Sequence, residues 1–90
     1  MCPGFIDGHS HSDLYIFVDP TAEQKVMQGV TTENVGMDGM SVAPIDEKDV
    51  TSWRMHLSGL AGNPPIDWTW RSFADYLDAK DHPEYTRYTL

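Results

Sequence analysis

The residues best suited to chemistry are two histidines one position apart, His9 and His11, in the stretch Pro3-Gly4-Phe5-Ile6-Asp7-Gly8-His9-Ser10-His11-Ser12-Asp13. Side chains at i and i+2 of an extended strand project to the same face, so an H-x-H pair can present two imidazoles to one ion. Imidazole nitrogen suits zinc and other first-row metals. The same pair also fits a polar loop that binds nothing. A third candidate is Asp38, within Gly36-Met37-Asp38-Gly39, where the carboxylate either joins the histidines or serves a turn between glycines. His56 and His82 stand alone; the first reads as a surface or packing residue, and the second, before Pro83, as a loop residue.

Elements must bring these groups together. A strand is expected over about 5–11, and the apolar run Leu14-Tyr15-Ile16-Phe17-Val18 reads as a second extended stretch. Asp19-Pro20 is a helix start, with Asp accepting from free backbone N–H groups and proline at the first helical position, so a helix is expected over about 20–28, closed by Gly29. The β-branched run that follows predicts a strand over about 30–35. Strand, helix and strand at this spacing make a parallel crossover whose strands end on one edge. That edge would hold His9, His11 and Asp38 together, and in parallel α/β folds it is where active sites are built.

The segment 40–67 is irregular and rich in Pro, Gly and Asp, so it is expected to be partly helical, with turns over 53–60, or a lid-like insertion. Thr69 is a plausible cap for a helix over about 70–79, with Trp70, Phe73, Ala74 and Leu77 at helical spacing. Trp70, Phe73 and Tyr76 read as packing, since no basic groups accompany them as they would in a nucleic-acid stacking platform.

The composition, 40% hydrophobic and 22% charged, fits one small domain over residues 1–90. Fourteen acidic side chains against six basic ones give a net charge of −8, which argues against nucleic acid or an anionic membrane as partner. Cys2 is the one cysteine, so an intrachain disulfide framework is excluded and a reducing compartment expected. No apolar run approaches the roughly 20 residues of a membrane span and no signal-peptide pattern opens the chain, which makes the cytoplasm the expected location.

Taken together, four stretches resemble the N-terminal part of the catalytic domain of the N-acyl-D-amino-acid deacylases (D-aminoacylases), within the metal-dependent amidohydrolase superfamily. They are residues 3–13, quoted above; Gln28-Gly29-Val30-Thr31-Thr32-Glu33; Val35-Gly36-Met37-Asp38-Gly39-Met40-Ser41-Val42-Ala43-Pro44; and Asp67-Trp68-Thr69-Trp70-Arg71-Ser72-Phe73-Ala74-Asp75-Tyr76-Leu77. The first is shared across much of the superfamily; the second and third narrow the likeness to the deacylases. The resemblance implies an α/β fold, the opening part of a (β/α)8 barrel, with His9 and His11 ending the first barrel strand as metal ligands. Many family members have a metal-binding cysteine at the end of the second strand, and the matching position here is Asp38. A carboxylate is a harder ligand than a thiolate, which bears on metal preference and nuclearity.

The chemistry implied is hydrolysis of a small-molecule N-acyl-D-amino acid, with one or two divalent ions, zinc foremost, polarising the amide carbonyl and activating water. In the family two further histidines and an aspartate from later strands complete the site, and no matching motif occurs among these 90 residues. A barrel takes about 250 residues, so this chain would supply only the first strands, with apolar faces and strand edges open to solvent or to self-association. Alone it is expected to be inactive. Two alternatives stand beside this: a metal-dependent phosphoesterase, because Asp7-Gly8-His9-Ser10-His11 matches a D-x-H-x-H opening, and a noncatalytic, self-associating truncation product. The Gly29-Val30-Thr31-Thr32 and 36–44 stretches argue against the phosphoesterase.

Overall fold

The chain straightens once it leaves Pro3-Gly4, and the short apolar strand that follows pairs with the β-branched run near residue 30. The computed structural model describes residues 1–81; His82 and the tail beyond it lie outside the described residues. Strand β1 (Phe5–Asp7) is followed by single-turn helices α1 (Tyr15–Val18) and α2 (Glu23–Val26), then strand β2 (Val30–Glu33). A 3-10 turn at Met37–Gly39 and another at Glu47–Asp49 precede α3 (Val50–Leu57) and α4 (Phe73–Lys80). The architecture is thus mixed α/β around a two-stranded parallel sheet. The described residues do not form a barrel.

β1 and β2 run parallel with Phe5 opposite Val30, Ile6 opposite Thr32 and Asp7 opposite Glu33, the register slipping between Phe5 and Ile6. Both strands are shorter than their patterns predict. β1 stops at Asp7, short of the expected 11, because the Asp7 carboxylate accepts from the His9 backbone N–H at 3.1 Å and bends the chain away from the ladder. Parallel hydrogen bonding nevertheless continues past the bend: Asn34 N–H donates to Asp7 C=O at 2.9 Å, and Ser10 N–H to Asn34 C=O at 3.0 Å.

The apolar run 14–18, expected to be extended, is a helical turn, with Asp19 N–H donating to Tyr15 C=O at 2.9 Å. Helical spacing puts Leu14 and Phe17 against one cluster while Ile16 is buried in another with Ala22. The helix expected over 20–28 is reduced to Glu23–Val26. Asp19 does accept from following N–H groups, Thr21 at 3.1 Å and Glu23 at 3.3 Å, but it closes a turn there, and Ala22 at φ +47° breaks helical geometry. Gly29, at φ +83°, turns the chain into β2, and a Cβ at this position would stand 3.3 Å from the Phe5 ring.

Leu14, Val42, Ala43, Leu57, Trp68, Trp70 and Tyr76 form the main core. The segment 40–67 holds real helix: the 3-10 turn at Glu47–Asp49 runs into α3. Arg54 pins the loop after it, donating to Asn63 Oδ1 at 3.1 Å, Pro64 C=O at 3.0 Å and Ile66 C=O at 2.9 Å while lying over the Trp68 ring. His56 stacks on Trp53 with centroids 4.8 Å apart, a packing role. Trp70 lies ahead of α4 and is buried there, its indole N–H donating to Val42 C=O at 2.9 Å. Phe17 stacks on Trp70 at 5.2 Å and meets Tyr76 edge-on. Phe73, grouped by its spacing with the packing face, is exposed.

The cap of α4 is Ser72 rather than Thr69. Its hydroxyl accepts from Asp75 N–H at 3.1 Å, while the Asp75 carboxylate accepts from Ser72 N–H at 2.8 Å, a reciprocal capping box with Asp in the usual Glu position. Ser72→Ala should lower the urea unfolding free energy by about 1 kcal/mol and reduce far-UV helicity. An unchanged urea midpoint and spectrum would show that the box does not stabilise α4.

Candidate metal centre

Beyond the sheet's C-terminal edge two loops face each other. One carries His9 and His11; the other is the tight turn Met37–Gly39, with Met40 N–H returning to Met37 C=O at 2.9 Å. Asp38 occupies the left-handed region at φ +58°, a conformation Asp tolerates better than most residues. Asp38 is therefore at once the turn residue between glycines and a member of the cluster. Its Oδ2 lies 3.0 Å from His9 Nε2 and 3.2 Å from His11 Nε2. The two imidazoles meet edge-on with centroids 5.2 Å apart, and one ligand atom from each of the three residues falls within a 4.8 Å span.

The three sequence candidates are thus brought together, though not by the geometry that suggested them. His9 and His11 lie past the end of β1 in a loop, not on consecutive same-face positions of a strand. Two imidazole nitrogens and one carboxylate oxygen are the donor types of a borderline divalent metal. Tetrahedral ligands about 2.0–2.1 Å from an ion stand roughly 3.3 Å from one another. The two Asp38 separations are close to this, whereas the 4.8 Å span of the three donors would have to contract around the ion, so the donor types fit such an ion and the spacing needs a small side-chain adjustment. Without an ion, the same carboxylate accepts from whichever Nε2 carries a proton. The side chains of His9 and Asp38 are 56% and 54% exposed and that of His11 only 19%, so the cluster opens to solvent on one side and rests on protein on the other.

Beneath the histidines lies a polar layer that reading the sequence missed. Glu33, the last residue of β2, is 1% exposed. Its Oε1 accepts from Ser10 Oγ at 2.7 Å and Ser12 Oγ at 3.0 Å and lies 3.0 Å from Lys25 Nζ. Lys25, reaching over from α2, also donates to Asp7 Oδ2 at 2.6 Å. The hydrogen bond to Asp7, with that to Glu33, raises the Lys25 pKa, and the same Lys25 bond holds the Asp7 carboxyl below its usual range, aided by the His9 N–H. The signal available in sequence was Ser10 and Ser12 alternating with the histidines, and a lone carboxylate ending a β-branched run.

Asp13 ties the two loops to each other. Its Oδ1 accepts from Gly36 N–H at 3.0 Å, and its backbone carbonyl accepts from the Tyr76 hydroxyl at 2.8 Å. Burial pushes the Asp13 carboxyl up and the Tyr76 hydroxyl up as well. Oδ2 of Asp13 is buried with no hydrogen-bond partner among the described residues. It borders a cavity of about 310 Å³ lined in part by Gly36, Ser41, Phe73 and Tyr76.

Comparison with known proteins adds an independent observation. The chain is 37% identical over 79 residues to an N-acyl-D-aspartate deacylase and, equally, to a D-aminoacylase, both from Alcaligenes xylosoxydans xylosoxydans. Each match covers 88% of this chain and 15% of the relative, so the chain spans about one-seventh of the curated proteins it matches. An N-acyl-D-glutamate deacylase of the same organism is 48% identical over 44 residues, 49% of this chain and 9% of that protein. No family model and no solved structure matches the chain. Among the described residues no helix is long and apolar enough to cross a membrane.

Lys25→Met should destabilise the fold by about 3 kcal/mol, since it leaves the buried Glu33 without its cation. The pH profile has a definite sign. Asp7, with its pKa lowered by folding, contributes above the unfolded value near 3.9, and its contribution is lost as pH falls through the folded value. Lys25, with its pKa raised, contributes below about 10.4, and its contribution is lost as pH rises through the folded value. Urea melts of wild type and variant should therefore differ most between about pH 4 and 10 and converge at both extremes; a pH-independent difference would rule out the charge pair as the cause.

Proposed function

Since this chain is by sequence a relative of the N-acyl-D-amino-acid deacylases, we propose that it forms the opening strands of a metal-dependent amidohydrolase barrel and supplies part of that enzyme's metal site. The observation that carries this reading is the convergence of His9, His11 and Asp38 beyond the C-terminal ends of two parallel strands. Exposed apolar side chains on β1 support the barrel reading, because strands of a parallel sheet are normally covered on both faces, whereas Phe5 is 58% and Ile6 69% exposed. The substrate in this reading is an N-acyl-D-amino acid and the reaction is hydrolysis of its amide to a carboxylate and a free amine.

His9 and His11 enter as neutral imidazoles, each giving a nitrogen lone pair, and Asp38 gives one carboxylate oxygen. Binding at neutral pH therefore releases any proton carried on a ring. The chemistry that a divalent cation, zinc in our reading, supplies when bound is Lewis-acid polarisation of an amide carbonyl and activation of water near neutral pH. Three protein donors are one fewer than in a closed structural zinc site, and the exposed side of the cluster leaves room for substrate or for ligands from other strands. The general acid/base belongs to those other strands, as do the remaining ligands, so the 90 residues alone bind metal without turning over substrate.

Asp38→Asn is the informative variant. Asn keeps the size of Asp and its tolerance of the left-handed conformation but carries no charge. It should weaken zinc binding, read by competition with a chromophoric chelator, at least about tenfold while circular dichroism stays unchanged. The zinc-loaded chain should show no release of free amine from N-acetyl-D-aspartate or N-acetyl-D-glutamate. Equal zinc affinity in the variant would remove Asp38 from the site, and turnover by the chain would contradict the division of catalytic groups.

A further inference from the structure

The three clustered side chains are held weakly by their own surroundings. His9 and Asp38 are more than half exposed, so beyond their contacts within the cluster solvent leaves their rotamers loosely fixed. What is fixed is the backbone beneath them. Ser10 and Ser12 occupy the positions that alternate with His9 and His11, and both hydroxyls reach the same oxygen, Glu33 Oε1, at 2.7 and 3.0 Å. The two hydroxyls are also 2.9 Å from each other, and Ser10 Oγ accepts from Ser12 N–H at 3.3 Å, so the loop is drawn tight around one acceptor. Ser10 and Glu33 are both buried. Lys25 Nζ, 3.0 Å from that oxygen, helps hold the carboxylate in place.

We propose that Glu33 is a positioning residue for the metal site, gathering Ser10 and Ser12 onto one buried oxygen so that the intervening His11 and the preceding His9 are turned to the opposite side, onto Asp38. The inference rests on the metal-site reading above and goes beyond it in assigning what holds the ligands. It follows from the anchoring itself: with the Ser10 and Ser12 hydroxyls both fastened to Glu33 Oε1, the backbone that carries His9 and His11 loses freedom, and the rings are held where they meet Asp38. Ligands held in advance bind an ion more tightly than ligands that must be ordered by it, and the loss of such supporting groups costs about 10–100-fold in metal affinity. The hydrogen-bond and ion-pair partners of Glu33 are Ser10, Ser12 and Lys25 and not the histidine rings, so its action is through the serines.

The test uses the full 90-residue chain and two variants, Ser10→Ala/Ser12→Ala and Glu33→Gln, with Ser52→Ala/Ser58→Ala as a control that removes two hydroxyls elsewhere. Glu33→Gln retains an acceptor oxygen for the serines, so it separates loop positioning from the loss of the Lys25 ion pair. Two readouts are taken with urea stability: cobalt(II) affinity from its visible absorption bands, and the nuclear Overhauser contact between the His9 and His11 rings without metal. The serine pair variant is expected to lose about 10–100-fold in cobalt affinity and to lose the inter-ring contact. The control keeps both, and Glu33→Gln loses stability while keeping more of the affinity. Retention of the inter-ring contact and of full cobalt affinity in the serine pair variant overturns the positioning role. Should the wild-type chain bind no cobalt at all, the metal reading fails, and the inter-ring contact alone still decides whether Glu33 orders the loop.

Discussion

Parallel pairing between β1 and β2 is the constraint on which the rest of the arrangement depends. Asn34 and Ser10 carry its hydrogen bonds past the formal strand ends, so the two loops that follow leave the sheet side by side. An antiparallel pair would send those loops to opposite edges and leave Asp38 far from the histidines. Pairing alone brings the loops only to the same neighbourhood. The 3.0 and 3.2 Å separations at Asp38 depend in addition on a turn that admits a left-handed aspartate and on Asp13, which fastens Gly36 to the histidine loop.

A second layer of charge lies under the first. Lys25 bridges Asp7 and Glu33, so a helix between two strands returns a cation to the carboxylates at their ends. Each of these carboxylates also grips the histidine loop, Asp7 through the His9 N–H and Glu33 through two serine hydroxyls. Burying Glu33 is tolerable only because three donors meet one of its oxygens. The same groups that stabilise the crossover therefore fix the loop that bears the histidines, and fold and site share one network.

Some of this was legible in the residues themselves. The order strand, helix, strand followed from a β-branched run after a glycine-terminated helical signal, and with it the meeting of His9, His11 and Asp38 on one edge. Lengths were not legible, because side-chain traps decide them: Asp7 captures the His9 N–H and ends β1, and Asp19 closes a turn that shortens α2. Tertiary packing overrode local pattern at 14–18, where Leu14 and Phe17 reach a core built from Trp70 and Tyr76 far along the chain. Glu33 escaped notice because a carboxylate ending a strand looks like a solvated terminus until its donors, on Lys25, Ser10 and Ser12, are seen around it.

We propose that His9, His11 and Asp38 together hold one divalent ion, and X-ray absorption at the zinc edge of the chain loaded with one equivalent is the sharpest test. The spectrum should show nitrogen and oxygen neighbours only, at about 2.0–2.1 Å, with the outer-shell scattering of two imidazoles that disappears in His9→Ala/His11→Ala. A sulfur scatterer near 2.3 Å, contributed by the exposed Cys2 thiol, or an imidazole signal that survives the double substitution, would contradict it.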